Sequence, residues 1–157
     1  IDEAAREIPV FQANNYSIGV AVLKKLVEEA AHRLGPAFDI EVTEVHHKLK
    51  KDAPSGTAIT LAEAAASGRG LDPASAFCYG RSGMVGERPA DQIAIHAIRG
   101  GDVVGEHTVY FFGDAERVTL GHVATSRMNF AHGAVRAAAW IVNRPAGRYG
   151  IDQLLVD

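Results

Sequence analysis

Ile40-Glu41-Val42-Thr43-Glu44-Val45-His46-His47-Lys48-Leu49-Lys50-Lys51-Asp52-Ala53-Pro54-Ser55-Gly56-Thr57-Ala58 runs directly into Ile59-Thr60-Leu61-Ala62-Glu63-Ala64-Ala65-Ala66. The alternation over Ile40–Val45 predicts a strand, and the Ala- and Leu-rich run from Ile59 predicts a helix. Pro54 biases Ala53 toward an extended backbone, so the helix is expected to begin near Ser55. Ser55 is a natural N-cap, with Gly56 and Thr57 in the first turn. The stretch therefore reads as strand, cationic loop and helix start.

Each part has a chemical use. Amides at a helix N-terminus bind carboxylate or phosphate. Gly56 lets a ligand oxygen come close to the backbone, and the Thr57 hydroxyl adds a donor. Lys48, Lys50 and Lys51 place positive charge on the approach. Histidine moves protons near neutral pH. On a strand, His46 and His47 point to opposite faces and should differ in role. Together these features suit a small dianionic substrate. Taken singly they are ordinary: adjacent histidines commonly fill surface or core, and a Lys-rich loop is commonly just solvated.

The remaining chain supplies a scaffold. Ile8–Phe11 predicts a short strand, and Gln12–Tyr16 a polar turn. Ser17 then caps a helix with Val20, Leu23, Leu26, Val27, Ala30 and Leu34 on one face, ended by Gly35-Pro36. Gly68 to Asp72 breaks the second helix, and Phe77 to Pro89 reads as a long Gly- and Arg-containing loop. Three strands are expected next, over 92–99, 103–112 and 117–124. Gly100-Gly101-Asp102 and Gly113-Asp114 suggest an antiparallel meander between them. A last helix is expected over 127–142, its apolar positions being Met128, Ala131, Val135, Ala138, Ala139 and Val142. The fold class is therefore α+β: a mixed, largely antiparallel sheet of about four strands with helices packed on one face, plus a C-terminal helix.

Composition narrows the function. At 157 residues the chain can bury a core, and 47% hydrophobic with 22% charged residues is ordinary for a globular protein. A net charge of -3 gives no reason to expect nucleic acid or a membrane surface as a partner. No run is apolar enough to span a bilayer, and no signal peptide is seen. Cys78 is the one cysteine, which excludes an internal disulfide and fits a cytoplasmic setting. His96, His107 and His122 lie on predicted strands without metal-ligand spacing, so packing or an interface is preferred and no metal is expected.

The string from His46 to Ala58 resembles the HHxxKxDAPSGTA signature of the dihydrodipicolinate reductase (4-hydroxy-tetrahydrodipicolinate reductase) family, with every fixed position matched. Ala13-Asn14-Asn15-Tyr16-Ser17 resembles that family's AxN(F/M/Y)S hinge beside the nicotinamide; the residue chemistry alone reads Asn14-Asn15 as a turn. Arg81 to Arg88 matches a family R-x-G-x-x-G-E-R run and is read as a loop shaping the subunit or substrate surface. Arg99 to His107 resembles an R-x-G-x-x-x-G-x-H segment, taken as structural or intersubunit. Ser126-Arg127-Met128 with Phe130 resembles an SR-M-x-F step near substrate, against a plain surface-helix reading for Arg127.

The resemblance implies an NADH- or NADPH-dependent reduction of a cyclic imine-type dicarboxylate in lysine and diaminopimelate biosynthesis, by a homotetramer. It implies His46 as acid/base and Lys50 as proton donor. His47, Ser55, Gly56, Thr57 and Arg127 would bind substrate, and Ala13, Asn14, Asn15 and Tyr16 the cofactor. It also implies a division at 1–16 (end of a dinucleotide domain and hinge), 17–126 (substrate and assembly domain) and 127–157 (a helix returning to the dinucleotide domain). No Gly-x-Gly-x-x-Gly turn between strand and helix occurs here, and the chain starts at Ile1 rather than Met, so a fragment lacking most of a Rossmann domain is expected, inactive alone. Two other readings stay open: a non-catalytic dicarboxylate- or phosphate-binding module, and a purely structural assembly domain.

Overall fold

Alternation along β2 (Asp39–His46) is resolved by burial: Ile40, Val42, Glu44 and His46 turn inward and the residues between them outward. The computed structural model describes residues 1–156. Its elements fall into two compact units, one of 23–125 and one of 1–22 with 126–156.

The first unit is a five-stranded sheet in the order β3-β4-β2-β5-β6, formed by β3 (Phe77–Tyr79), β4 (Ile93–Arg99), β2, β5 (Gly105–Phe112) and β6 (Arg117–Ala124). Strands β3 and β4, and β4 and β2, run parallel; β2 with β5, and β5 with β6, run antiparallel. The mixed α+β architecture is as the sequence predicts, with one strand more. That strand, Phe77–Tyr79, was expected as loop, being too short to show a period.

The expected meander is half right. β5 and β6 form a hairpin closed by Gly113 N donating to Glu116 O at 2.9 Å. β4 and β5 are not neighbours, because β2 lies between them. The Gly100–Asp102 turn instead crosses the end of β2: Gly100 N donates to His46 O, and Lys48 N donates to Gly101 O.

One sheet face is covered by α2 (Gly56–Arg69) and the later turns of α1 (Ile18–Leu34). Its core joins Ile40, Val42, Ile93, Ile95, Val109 and Phe111 to Leu23, Val27, Ala31 and Leu61. Leu61 is fully buried, worth about 2 kcal/mol by transfer. Alanines at 58, 62, 64, 65 and 66 let the helix lie close. Gly68, expected to break this helix, sits inside it: a Cβ there would lie 2.2 Å from Glu28 O. The helix stops at Gly70, whose φ of 65° gives the left-handed cap. Along α1 the buried stripe is Leu23, Val27, Ala31; Leu26, expected on that face, is 51% exposed.

On the opposite sheet face the 80–92 loop is pinned by arginines. Glu41 accepts from Arg81 at 2.8 and 3.0 Å and from Arg88 Nε at 3.0 Å, and pairs with His96 Nε2 at 2.7 Å. Arg88 also donates to Asp39, at 2.7 Å, and to Ile40 O and Gln92 O.

The second unit pairs β1 (Pro9–Phe11) in parallel with β7 (Gly147–Tyr149) and packs α4 (Met128–Ile141) on β1. Trp140 packs edge-on to Phe11 and Tyr149. The helix packs through Gly133 and Ala137, both buried; a Cβ at Gly133 would overlap Tyr16 O at 1.7 Å. The apolar positions read from sequence face outward, Val135 being 69% and Val142 72% exposed. The chain closes with α5 (Ile151–Leu154), whose Leu154 is buried. Among the described residues no helix is long and apolar enough to cross a membrane.

Candidate functional site

The helix-covered sheet face changes character along its length. At one end the paired residues are Ile40 with Ile93 and Phe111, then Val42 with Ile95 and Val109. At the other they are Glu44 with His107, and His46 with Arg99. The core thus gives way to a polar cluster where β2 ends and α2 begins.

Glu44 is the hub of that cluster and is fully buried. Its Oε2 accepts from His46 Nδ1 at 2.6 Å and from Arg99 Nη1 at 2.7 Å. Its Oε1 accepts from Ser55 N at 3.0 Å and from Arg99 Nη2 at 2.8 Å. Burial works to raise this carboxyl's pKa, but hydrogen bonds from Arg99, His46 and Ser55 outweigh it and hold the group below the usual carboxylate range. The same pairing raises Arg99. Arg99 also donates to Asp52 O, tying the Lys-rich loop to the cluster.

His107 completes the wall. Its ring lies edge-on to His46, centroids 5.1 Å apart, and its Nε2 is 3.0 Å from Ser55 Oγ. Burial, and then the neighbouring His46, push His107 down to about 4, so it is neutral at physiological pH. Gly105 lies against the Nε2 edge of His46: a Cβ there would stand 3.0 Å from Nε2 and 3.7 Å from His107 Cε1.

The helix start is as the sequence predicts. Ser55 caps α2, its Oγ accepting from Ala58 N at 3.2 Å. The peptide bond before Pro54 is cis. The Ser55 amide is committed to Glu44, so anion-binding capacity rests on the turn that follows. Gly56 is exposed, with open space where a side chain would stand, and Thr57 is half-buried. Lys50 pairs with Asp52 at 2.8 Å and remains largely covered. His47 is half-buried and its amide donates to Val103 O, so the two adjacent histidines do differ in surroundings.

Other site candidates lie in the second unit. Arg127 is the exposed residue before α4. Ala13 and Asn14 line an open hollow of about 440 Å³ with Gln12, Arg148, Tyr149 and Gln153. Asn15 Oδ1 accepts from Ser17 N at 2.8 Å, the turn role that residue chemistry suggests, and Tyr16 stacks on Phe11.

His96 points to the opposite sheet face from His107 and His122, so the three strand histidines do not converge. Among the described residues no group of three or more His, Cys, Asp or Glu is placed to hold a metal.

Sequence reading missed Glu44, and it set the Arg99–His107 segment aside as structural or intersubunit. That segment delivers Arg99, Gly105 and His107 to the cluster. A signal for Glu44 was available, since residues two apart on a strand share a face.

Comparison with known proteins identifies the family. The family described as "Dihydrodipicolinate reductase, C-terminus" matches residues 19–155. The 4-hydroxy-tetrahydrodipicolinate reductase of Anaeromyxobacter sp. (strain Fw109-5) is 57% identical over 152 residues, covering 97% of this chain and 57% of that protein. That of Sulfurimonas denitrificans is 53% identical, over 99% of this chain and 60% of its own length. The dipicolinate-bound dihydrodipicolinate reductase from Paenisporosarcina sp. TG-14 superposes with a TM-score of 0.70 at 26% identity, over 96% of this chain and 56% of that one. The chain thus spans somewhat over half the length of these relatives. With the signature stretch folded into a helix N-terminus beside a buried histidine cluster, and with relatives above 50% identity, the chain belongs to the dihydrodipicolinate reductase family, as its C-terminal part.

Proposed function

We propose that this chain is the substrate-binding and proton-handling part of a reductase that converts 4-hydroxy-tetrahydrodipicolinate to tetrahydrodipicolinate, in lysine and diaminopimelate biosynthesis. The observation that carries this reading is the Glu44 junction, which sets an imidazole and the first turn of α2 beside one another. Such a pair can hold a carboxylate and exchange a proton with the same ligand. Gly56 and Thr57 serve as carboxylate donors, with His47 and the Ser55 cap supporting them; Arg127, in the other unit, is assigned to substrate by the family resemblance alone. His46 is the acid/base and Lys50 the proton donor, its ammonium steadied by Asp52.

NADH or NADPH supplies the hydride in this scheme. Ala13 and Asn14, on the rim of their hollow, are the residues of this chain suited to a nicotinamide edge, with Asn15 and Tyr16 shaping the turn behind them. The division of the chain at the hinge before Ser17 and at Arg127, assembly as a homotetramer and a cytoplasmic setting belong to the same proposal. An anion-binding module without catalysis is the second reading, favoured by the Ser55 cap and the open space at Gly56.

The discriminating experiment completes the chain with the remaining part of the Anaeromyxobacter relative and follows NAD(P)H oxidation. His46→Gln should lower turnover about 10²-fold or more, with a much smaller change in KM. Full activity in that variant refutes the catalytic reading; dipicolinate binding without any oxidation in the parent supports the binding module.

A further inference from the structure

We propose that Glu44 is a positioning residue for this site: it sets the proton of His46 on Nδ1, directs Nε2 toward the ligand, and registers that ring against the first turn of α2. The inference rests on the reading of His46 as the acid/base group.

The geometry is specific. A carboxylate offers about four acceptor directions. Glu44 fills them from three elements: two with Arg99 on β4, one with His46 on its own strand, one with the Ser55 amide at the head of α2. Arg99 alone could satisfy the charge. The two further bonds connect the imidazole to the helix start through a single group, so ring and amides cannot drift apart independently.

The tautomer follows from the acceptor. An ionised carboxylate has no proton to give, so Nδ1 must donate and, in the neutral ring, Nε2 stays bare. Gly105 leaves room at that nitrogen, and His107 closes the side of the ring edge-on. The ring is therefore fixed at Nδ1 and walled on one side by His107, with only the side-chain-free backbone of Gly105 against the nitrogen that would exchange a proton.

The test uses this chain and pyridine-2,6-dicarboxylate (dipicolinate) as probe. Nitrogen-15 spectra of the wild type should show that a singly protonated His46 ring carries its proton on Nδ1; a singly protonated ring with the proton on Nε2 overturns the proposal without any variant being made. Glu44→Gln should blur that preference, because its amide group must face either Arg99 or one of the former donors. It should also weaken dipicolinate about tenfold, the scale of one charge-assisted hydrogen bond. In a His46→Gln background the same change should cost under about threefold, since the coupled term has gone. Equal weakening in both backgrounds means Glu44 acts on the fold at large and refutes the assignment. Glu44→Asp keeps the charge on a shorter arm and should recover part of the affinity. If wild type fails to bind dipicolinate, the functional reading falls for this chain, while the tautomer still decides whether Glu44 orients His46.

Discussion

Replacing Glu41 by Gln should release the 80–92 loop from the sheet and cost the fold about 2–3 kcal/mol at neutral pH. Glu41 is 15% exposed and serves three partners, the guanidinium groups of Arg81 and Arg88 and the His96 ring. Burial opposes its ionised form, yet the hydrogen bonds from Arg81, His96 and Arg88 prevail and bring it from 4.5 to about 2. At about 1.4 kcal/mol per pH unit this corresponds to an upper figure of about 3 kcal/mol. Glutamine still offers a carbonyl to one arginine, and both arginines keep some contact with water, so the measured loss should fall somewhat below that. The pH dependence is sharper than the size. A carboxyl whose folded pKa is depressed stabilises fully above its unfolded value and loses that contribution as pH falls through the folded one. Urea unfolding of wild type and Glu41→Gln should therefore differ by the full amount at pH 7 and pH 5. The gap should shrink to about half at pH 3 and close near pH 2. A gap below about 0.5 kcal/mol at pH 7, or one unchanged between pH 7 and pH 3, refutes the arginine anchor as a stabilising element.

Three further outcomes follow from the same coordinates. His107 is neutral when folded and titrates near 4 rather than 6.5, so the unfolded chain binds the extra proton between those values. Stability should fall by up to about 3 kcal/mol on acidifying from pH 6.5 to 4, and His107→Gln should flatten that limb of a urea titration. Gly105→Ala places a methyl 3.0 Å from His46 Nε2; turnover of the completed enzyme should drop about tenfold or more while chemical unfolding of this chain shifts by less than about 1 kcal/mol. Gly68→Ala sets a Cβ 2.2 Å from Glu28 O, so α1 and α2 must separate, with a loss of about 2 kcal/mol or more in thermal or urea unfolding.

What could be read in advance, and what could not, divides along physical lines. The strand before His46 and the cap at Ser55 rest on near neighbours in sequence: alternation, a short side-chain acceptor and a proline one residue upstream. Burial faces were harder. Large side chains drew the eye on the last helix, yet Val135 and Val142 are open and contact runs through Gly133 and Ala137, where small size permits approach to Tyr16 O. Leu26 misled for the same reason, with Ala31 buried in its place. The cluster around His46 depended on something less local still. Two glycine-marked turns suggested successive hairpins, but β2 inserts between β4 and β5, a pairing of distant segments that no turn encodes. Only that insertion sets Arg99 on one side of Glu44 and His46 and His107 on the other. The Arg99–His107 segment crosses over the end of β2, so its two ends must arrive on opposite flanks of the same strand. A segment that looked like a connector between neighbours thereby becomes part of the cluster, its Arg holding Glu44 and its Gly and His lying against His46, residues they do not adjoin in sequence.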